Sequence, residues 1–304
     1  MRNPLRWDRT LAVSAAVGRY RPNDLRSLTR FILPQAGSVS RATYNKKVAH
    51  ASDGYSMNSL PFRIKICGIM TPVDAAAALV AGADAIGINF YSRSKRAVTI
   101  DEAEEIRAWI SACGPMRSLN QRRNTTVASV LVNPSLDEVA ESLPRKENEQ
   151  LRFSRRRLDW IQLHGDETPE LLAKIKKAIG LPVIRAFRWG HDEPAAIEAY
   201  LNRCKALDCL PKAILIDSHK SGQYGGTGRT ADWKGIARWL ANGKVQVPLV
   251  LAGGLTPENV AEGIGVVRPD AVDTAGGVES SPGRKDDAKM RAFCEAASRA
   301  FGAA

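Results

Sequence analysis

The chain has 304 residues, of which 44% are hydrophobic and 25% charged, so it can bury a substantial core. No apolar run approaches the roughly 18 residues needed to cross a bilayer, which argues against an integral membrane protein and predicts a soluble one. The five cysteines show neither paired CxxC spacing nor histidine partners, which argues against a zinc site and indicates reduced thiols in the cytoplasm.

The formal net charge of +12 is concentrated near the amino terminus. Residues 1–56 hold ten Lys or Arg against three Asp and show no sustained helix or strand period. We therefore expect a flexible basic extension over residues 1–61, followed by a catalytic domain over residues 62–304. A transit peptide, sequence translated from a start upstream of Met57, and a nucleic-acid-binding arm are all open readings. We favour the second, and sparse aromatic residues weigh against the third.

From Arg63 onward, short apolar runs alternate with helical stretches, which is the pattern of repeated βα units. The runs are RIKICGI (63–69), DAIGINF (84–90), TVASVLV (126–132), LDWIQLHG (158–165), PVIRAFRW (182–189), KAILIDS (212–218), PLVLAGG (248–254) and DAVDTAGG (270–277). Helical candidates include 72–81, 101–112, 169–179, 192–206 and 257–267. Eight repeats over about 240 residues predict an α/β fold, the (β/α)8 TIM barrel.

Three stretches interrupt this pattern. Residues 113–125 and 144–157 are predicted to be surface insertions, and the basic run Arg155–Arg157 within the second is predicted to be a solvated face. The glycine-rich SGQYGGTGRT (221–230) follows the sixth run and is long enough to form a mobile lid.

Polar residues inside buried parallel strands require a reason. In the first run, the strand period of 2 places Lys65 and Cys67 on one face and the isoleucines on the other, so we expect Lys65 and Cys67 to point into the barrel. The same count directs further polar residues to the carboxyl-terminal strand ends, where barrel enzymes hold their catalytic groups. They are Gln162, His164, Asp217 and Asp273.

Each of these residues has a structural alternative. Cys67 could be a small core residue, Asp217 a loop cap, and His164 a satisfied structural histidine. The functional interpretation is favoured because a Cys, an Asp and a Lys all face one predicted cavity. We assign Gln162, His164 and Asp273 to substrate binding.

Two glycine pairs end the seventh and eighth runs, in AGGLTPENV (252–260) and DTAGGVESSPG (273–283). These are the positions at which barrels commonly hold a phosphate, and glycine lets backbone N–H groups approach its oxygens. One pair alone would be a weak turn signal. Together, Gly253, Gly254, Gly276 and Gly277 predict phosphate binding.

These segments, taken in order, resemble the phosphoribosylanthranilate isomerase family. The pieces that carry the resemblance are KICGI (65–69), ADAIGINFYSRSKR (83–96), LVNP (131–134), WIQLHGDE (160–167), ID (216–217) with YGGTGRTADW (224–233), LAGGLTPENV (251–260) and VDTAGGVESSPGRKD (272–286). They cover essentially the whole predicted barrel, and as a set they are highly specific.

The resemblance implies an enzyme of tryptophan biosynthesis that rearranges a phosphorylated aminoaldose into an aminoketose without cofactor or metal. It implies that Cys67 is the general base, Asp217 the general acid and Arg96 the ligand of the anthranilate carboxylate. It also implies that the two glycine pairs hold the ribose phosphate. A thiolate base calls for a depressed pKa or a field that favours the thiolate, and we expect Lys65 to be its source. Alternatively, Lys65 forms an ion pair in the barrel floor, and the two roles are compatible.

The chain departs from the family pattern at two places. Ala275-Gly276-Gly277 stands where the family commonly has Ser-Ser-Gly, so hydroxyl contacts to phosphate are absent and weaker phosphate affinity is expected. The second loop lacks the usual Pro and has Ala97 where an aromatic residue is frequent. Contacts to the anthranilate ring are therefore expected to differ.

Two other functions are weighed against this one. Another phosphosugar barrel isomerase, such as a dual-substrate enzyme, would use two Asp residues, whereas the first strand here ends in Cys67. A non-catalytic protein with a nucleic-acid-binding arm would show salt-sensitive binding that is lost on removal of residues 1–56. The partners we expect are a small phosphosugar substrate, no nucleic acid and no membrane, with the chain a monomer or homodimer in the cytoplasm.

Overall fold

A computed structural model describes residues 60–113, 125–144, 157–190, 192–217, 232–243 and 245–303 of the chain. They all belong to a unit that spans Ser56–Ala304, and residues 1–55 lie outside the described residues. Most of the predicted extension, nearly all of both predicted insertions and the predicted lid also lie outside them.

Eight parallel strands pair in sequence order, and the last pairs with the first, so the sheet closes into a barrel. The barrel strands are β1 (Ile64–Cys67), β2 (Ala85–Asn89), β3 (Thr125–Leu131), β4 (Arg157–Leu163), β5 (Val183–Arg188), β6 (Ala213–Asp217), β7 (Leu249–Ala252) and β8 (Ala271–Thr274). Lys65 pairs with Asp273 in the register that closes the sheet. All eight predicted strands and the predicted (β/α)8 class are confirmed.

Helices follow the strands and cover the outside of the sheet. They are α1 (Pro72–Ala81), α2 (Ile100–Cys113), α3 (Leu136–Glu141), α4 (Pro169–Ile179), α5 (Pro194–Ala206), α6 (Trp233–Ala241), α7 (Val260–Val267) and α8 (Asp287–Ala303). A 3₁₀ turn (Gly276–Val278) and a small hairpin of β9 (Glu279–Ser281) and β10 (Arg284–Lys285) follow β8. Within the described residues, no helix has the length and apolar character required of a membrane span.

Local capping explains where helices α1 and α4 begin and end. Thr71 and Thr168 accept a hydrogen bond from the third helical N–H, and a proline follows each of them. Gly82 and Gly180 end these helices in the left-handed conformation. Both predicted ranges are confirmed to the residue.

Helices α5 and α7 begin two and three residues later than the sequence predicts. Before α5, the Asp192 carboxylate accepts the backbone N–H of Arg188 and holds the chain in a turn. Before α7, the Asn259 side chain accepts the N–H of Thr256 and donates to the carbonyl of Gly254. In both cases a polar side chain bonds the backbone of the preceding loop, which competes with helical geometry.

Buried apolar side chains form separate layers on the two faces of the sheet. Strands β2 to β8 each contribute to a cluster inside the barrel, for example Ala85 and Leu215, whereas the outer cluster contains Ile64 and Ile66 together with helix residues. Strand β1 instead directs Lys65 and Cys67 inward, where a Cβ added at Gly87 would lie 3.1 Å from Lys65 Nζ and 2.6 Å from Cys67 Sγ. The predicted alternation of β1 is confirmed.

Candidate active site

The residues singled out for chemistry meet at one end of the barrel. Cys67 is the last residue of β1 and Asp217 the last of β6, and Asp273 is the last but one of β8. Ala213 and Leu215 belong to the inner cluster, so the strand period directs Asp217 inward as well. Because all the strands are parallel, these residues share the carboxyl-terminal mouth. The thiol and the carboxyl group thus lie three strands apart around one cavity wall.

A buried ion pair lies below the thiol. Lys65 Nζ lies 3.0 Å from Asp273 Oδ1, and the lysine side chain is fully buried. Burial acts to lower the pKa of Lys65, but attraction from Asp273 and Cys67 outweighs it and the pKa is raised. Lys65 is therefore a fixed positive charge, and the expected ion pair in the barrel interior is present.

The Cys67 thiol is shielded from water in this cavity. Burial raises its pKa; Lys65 opposes that shift and Asp273 adds to it, and the net direction is upward. The field of Lys65 does favour the thiolate, as the sequence predicts. Of the two alternatives that a thiolate base calls for, the field is therefore present and the depressed pKa is not, because desolvation outweighs the lysine.

The carboxyl group of Asp217 faces an imidazole. His164 Nε2 lies 3.5 Å from Asp217 Oδ2, and His164 Nδ1 lies 3.0 Å from the amide nitrogen of Gln162. An amide N–H that donates to Nδ1 leaves the proton of a neutral imidazole on Nε2, which points at the carboxylate. Gln162, His164 and Asp217 thus form a chain from the barrel interior to its rim.

The glycine pairs shape two adjoining loops after β7 and β8. Gly253 and Gly254 have φ angles of 86° and 67°, a conformation that side chains rarely adopt. A Cβ added at Gly277 would lie 1.9 Å from the carbonyl oxygen of Leu255, so the two loops approach closely. Thr274 Oγ1 donates to the same carbonyl at 2.7 Å. The loops form one surface, and their binding of phosphate stays a prediction.

Arg96 lies across the end of β1 and the loop after β8. Its Nε and Nη2 each donate to one carboxylate oxygen of Glu279, both at 2.7 Å. Glu279 also accepts from Lys285 Nζ at 2.9 Å, and that lysine donates to the carbonyl of Ala275 at 3.0 Å. Binding of the anthranilate carboxylate by Arg96 stays a prediction, since here its partner is a protein carboxylate.

Sequence analysis did not single out Glu279 or Lys285. Both lie within VESSPGRKD, the last segment of the resemblance, and both are buried although they flank a tight turn. The signal available in the sequence was a charged residue of each sign close to a phosphate-loop candidate. The pattern could not reveal that Arg96, 183 residues away, completes the cluster.

A closed (β/α)8 barrel with an inward thiol and carboxyl at its carboxyl-terminal mouth, beside paired glycine loops, defines the class of barrel enzymes that carry acid–base groups at the strand ends. A family model described as "N-(5'phosphoribosyl)anthranilate (PRA) isomerase" matches residues 64–296. An N-(5'-phosphoribosyl)anthranilate isomerase of Pseudomonas fluorescens is 42% identical over 239 residues, which are 77% of this chain and 97% of the relative. One from Neisseria meningitidis is 38% identical, covering 78% of this chain and 97% of the relative.

Solved structures agree. Phosphoribosylanthranilate isomerase from Thermotoga maritima superposes with a TM-score of 0.60 at 33% identity, over 78% of this chain and 99% of that one. A second structure, with a TM-score of 0.57 at 31% identity, covers 78% of this chain and 99% of its own, and it is a complex with reduced 1-(o-carboxyphenylamino)-1-deoxyribulose 5-phosphate. The chain belongs to the phosphoribosylanthranilate isomerase family, and it is an isomerase of tryptophan biosynthesis.

Proposed function

We propose that the chain converts N-(5-phosphoribosyl)anthranilate into 1-(2-carboxyphenylamino)-1-deoxyribulose 5-phosphate by an Amadori rearrangement, with Asp217 as general acid and Cys67 as general base. The observation that carries this assignment is the placement of a thiol and a carboxyl group as the inward-facing last residues of β1 and β6. A proton donor and a proton acceptor on opposite sides of a sugar are what the rearrangement requires.

The first step opens the furanose ring. Asp217 donates a proton to the ring oxygen while the bond from that oxygen to C1 breaks, and the anthranilate nitrogen lone pair forms a C1=N bond. The product is a protonated Schiff base. His164 lies 3.5 Å from Asp217 and, with its Nε2 proton directed at the carboxylate, stabilises the anion that remains after the transfer.

The second step moves hydrogen between carbons. The Cys67 thiolate takes the proton from C2, and the C2–H electron pair forms a C1=C2 bond while the C1=N pair returns to nitrogen. The resulting enolamine becomes the ketone when the Asp217 carboxylate takes the proton of its hydroxyl and the Cys67 thiol gives its proton to C1. Both catalytic groups recover their starting protonation, so no redox cofactor or metal is needed. The buried ammonium of Lys65 stabilises the transient thiolate.

Binding groups hold the two charged ends of the substrate. The N–H groups around Gly253, Gly254, Gly276 and Gly277 take the phosphate. The guanidinium of Arg96 takes the anthranilate carboxylate, because its planar fork matches two oxygens. Gln162 and Asp273 bind the sugar between these ends, together with His164. The solved relative binds a ligand of this kind, with one carboxylate and one phosphate.

The partner we propose is therefore a small phosphosugar, with no nucleic acid and no membrane. The protein acts in the cytoplasm as a monomer or homodimer. Residues 1–61 form an extension that the chemistry does not require, and residues 62–304 form the catalytic domain.

The test is a fluorescence assay that follows consumption of the anthranilate substrate by wild type, Cys67→Ser and Asp217→Asn. We expect each variant to lose about 10²–10⁴-fold in kcat, because each removes one proton-transfer group. Unchanged thermal unfolding midpoints would separate this loss from misfolding. Cys209→Ser in the outer layer and the exposed Asp137→Asn make the same atomic changes away from the site and should retain full activity. Full activity of Cys67→Ser or Asp217→Asn would remove that residue from the mechanism.

A further inference from the structure

We propose that Glu279 is a positioning residue, which fixes the guanidinium of Arg96 so that the free edge of its fork receives the substrate carboxylate. The proposal rests on the function proposed above, and it adds a residue that the sequence did not single out.

The geometry of the fork is the first argument. Arginine has five N–H donors in one plane, and Glu279 uses one on Nε and one on Nη2, both at 2.7 Å. The edge formed by Nη1 and Nη2 is left for a second carboxylate. A guanidinium bound along both edges can hold a protein carboxylate and a ligand carboxylate at the same time. The substrate therefore need not displace Glu279.

The packing of Arg96 indicates where this free edge lies. A Cβ added at Gly68 would lie 2.4 Å from Arg96 Cδ, so the stem of the arginine crosses the backbone next to Cys67. A Cβ added at Gly276 would lie 3.3 Å from Arg96 Nη2. The side chain of Arg96 is 28% exposed, whereas that of Glu279 is 3% exposed. Glu279 thus supports the fork from the protein side, and the exposed part borders the mouth above the thiol.

Charge gives the second argument. Two cations, Arg96 and Lys285, share the single carboxylate of Glu279, so the cluster carries an excess of one positive charge. Burial acts to raise the pKa of Glu279, but hydrogen bonds from both cations lower it below its ordinary value, so the anion persists at neutral pH. A ligand carboxylate at the free edge would neutralise the cluster, which favours an anionic substrate over a neutral one.

Lys285 holds Glu279 in place. Its ammonium bridges the carboxylate and the carbonyl of Ala275, and Lys289 Nζ donates to the carbonyl of Glu279 at 2.8 Å. The carboxylate that orients Arg96 is thereby anchored to the loop after β8. Without Glu279, two cations would face each other and Arg96 would lose its fixed direction.

The test compares Glu279→Gln with wild type, using Glu170→Gln as control because Glu170 pairs with Arg203 Nε at 2.8 Å in an exposed position. If the Arg96 guanidinium is no longer held in its orientation, binding energy that the ground state and the transition state share is lost. KM should therefore rise about 10-fold or more while kcat changes less than about threefold. Glu170→Gln should change neither. Glu279→Asp keeps the charge but withdraws it by one methylene, and it should raise KM too. It also serves if Glu279→Gln fails to fold.

A double-mutant cycle distinguishes positioning from general support of the fold. If Glu279 acts through Arg96, Glu279→Gln should raise KM less than about twofold further in an Arg96→Gln background. Inorganic phosphate, as a competitive inhibitor, should keep its inhibition constant within about twofold in all these variants, since none of them replaces a residue of the two glycine pairs.

Additive effects on KM, or an unchanged KM in both Glu279 variants, would overturn the proposal. Phosphate inhibition that weakens in parallel with KM would also overturn it, because Arg96 would then serve the phosphate end. A wild type that fails to turn over the anthranilate substrate would instead refute the proposed function itself, so the two failures are distinguishable.

Discussion

Two buried lysines in this barrel each contact a carboxylate, and their pKa values move in opposite directions. Lys65 pairs with Asp273 inside the barrel, and there attraction from Asp273 and Cys67 outweighs burial and raises its pKa. Lys285 pairs with Glu279 in the loop region, and there burial outweighs the attraction of Glu279 and lowers its pKa. Burial is the largest influence on both pKa values; at Lys65 the neighbouring Asp273 and Cys67 outweigh it, whereas at Lys285 the attraction of Glu279 does not, and Arg96 adds a smaller repulsion. An anion that serves two cations stabilises each of them less.

The two regions differ in how their positive charge is arranged. In the interior, Lys65 is a permanent charge beside the thiol and is suited to stabilising a transient anion. In the loop, Arg96 and Lys285 share one carboxylate, so one positive charge is in excess, and Arg96 is the partly exposed member of the cluster. Under the proposed function, the first region would serve the chemistry and the second would serve binding.

The largest expected effect comes from removing one lysine at a time. Lys65→Met leaves the Asp273 carboxylate buried without its cation, which should cost about 3–5 kcal/mol of unfolding free energy. Lys285→Met leaves Glu279 paired with Arg96 and should cost about 1.5–3 kcal/mol. Urea denaturation at neutral pH measures both values.

Lys176→Met is the matched control, since that exposed lysine donates only to the carbonyl of Asp208 among its described hydrogen bonds. It should change the unfolding free energy by less than about 0.5 kcal/mol. An equal loss of unfolding free energy in Lys285→Met and Lys65→Met would contradict the proposed difference between the two ion pairs.

A smaller change in unfolding free energy is expected from substitutions in the loop after β8, which connects Asp273 of the first ion pair with Glu279 of the second. A methyl group at Gly277 would meet the backbone carbonyl of Leu255, which cannot move aside, whereas one at Gly276 would lie 3.3 Å from the side-chain atom Arg96 Nη2 and 4.0 Å from Glu279 Oε2. Gly277→Ala should therefore cost about 2–3 kcal/mol of unfolding free energy, and Gly276→Ala less than about 1 kcal/mol. Each glycine is the control for the other in thermal or urea unfolding. Equal costs would mean that the loops after β7 and β8 do not pack this closely.

The sequence predicted those features of the fold that are set by neighbouring residues. Thr71 and Gly82 delimit α1 through bonds within one helical turn, so its bounds could be predicted to the residue. The start of α5 could not, because it depends on Asp192 bonding to Arg188 at the end of a strand. Helices α3, α6 and α8 complete the barrel among the described residues, although the sequence analysis did not list them as candidates.

For the site, the strand period was enough to place Lys65, Cys67 and Asp273 on one interior surface. The direction of the Cys67 pKa shift could not be predicted, because it depends on how completely the surrounding strands exclude water. The Arg96 and Glu279 pair was also out of reach, since the two residues are 183 positions apart and no periodicity relates them. Contacts between loops that are far apart in the sequence are therefore the part of a barrel site that is hardest to predict from a single sequence.

The last prediction concerns how strongly each lysine acts on the Cys67 thiol. Only the thiolate reacts with iodoacetamide, and the pKa of Cys67 is raised, so its alkylation rate should increase about tenfold per pH unit from neutrality to about pH 9 without a plateau. Lys65 lowers this pKa more than Lys285 does, and Asp273 raises it. Lys65→Met should therefore slow alkylation at a given pH.

Lys285→Met should slow alkylation of Cys67 by a smaller factor, and Asp273→Asn should accelerate it. Mass spectrometry of the peptide that contains Cys67 separates this rate from those of the other four cysteines. A plateau below about pH 8 in wild type would contradict the upward pKa shift. Equal slowing by Lys65→Met and Lys285→Met would contradict this prediction, because Lys285 in the loop would then affect the Cys67 thiol as strongly as Lys65 does.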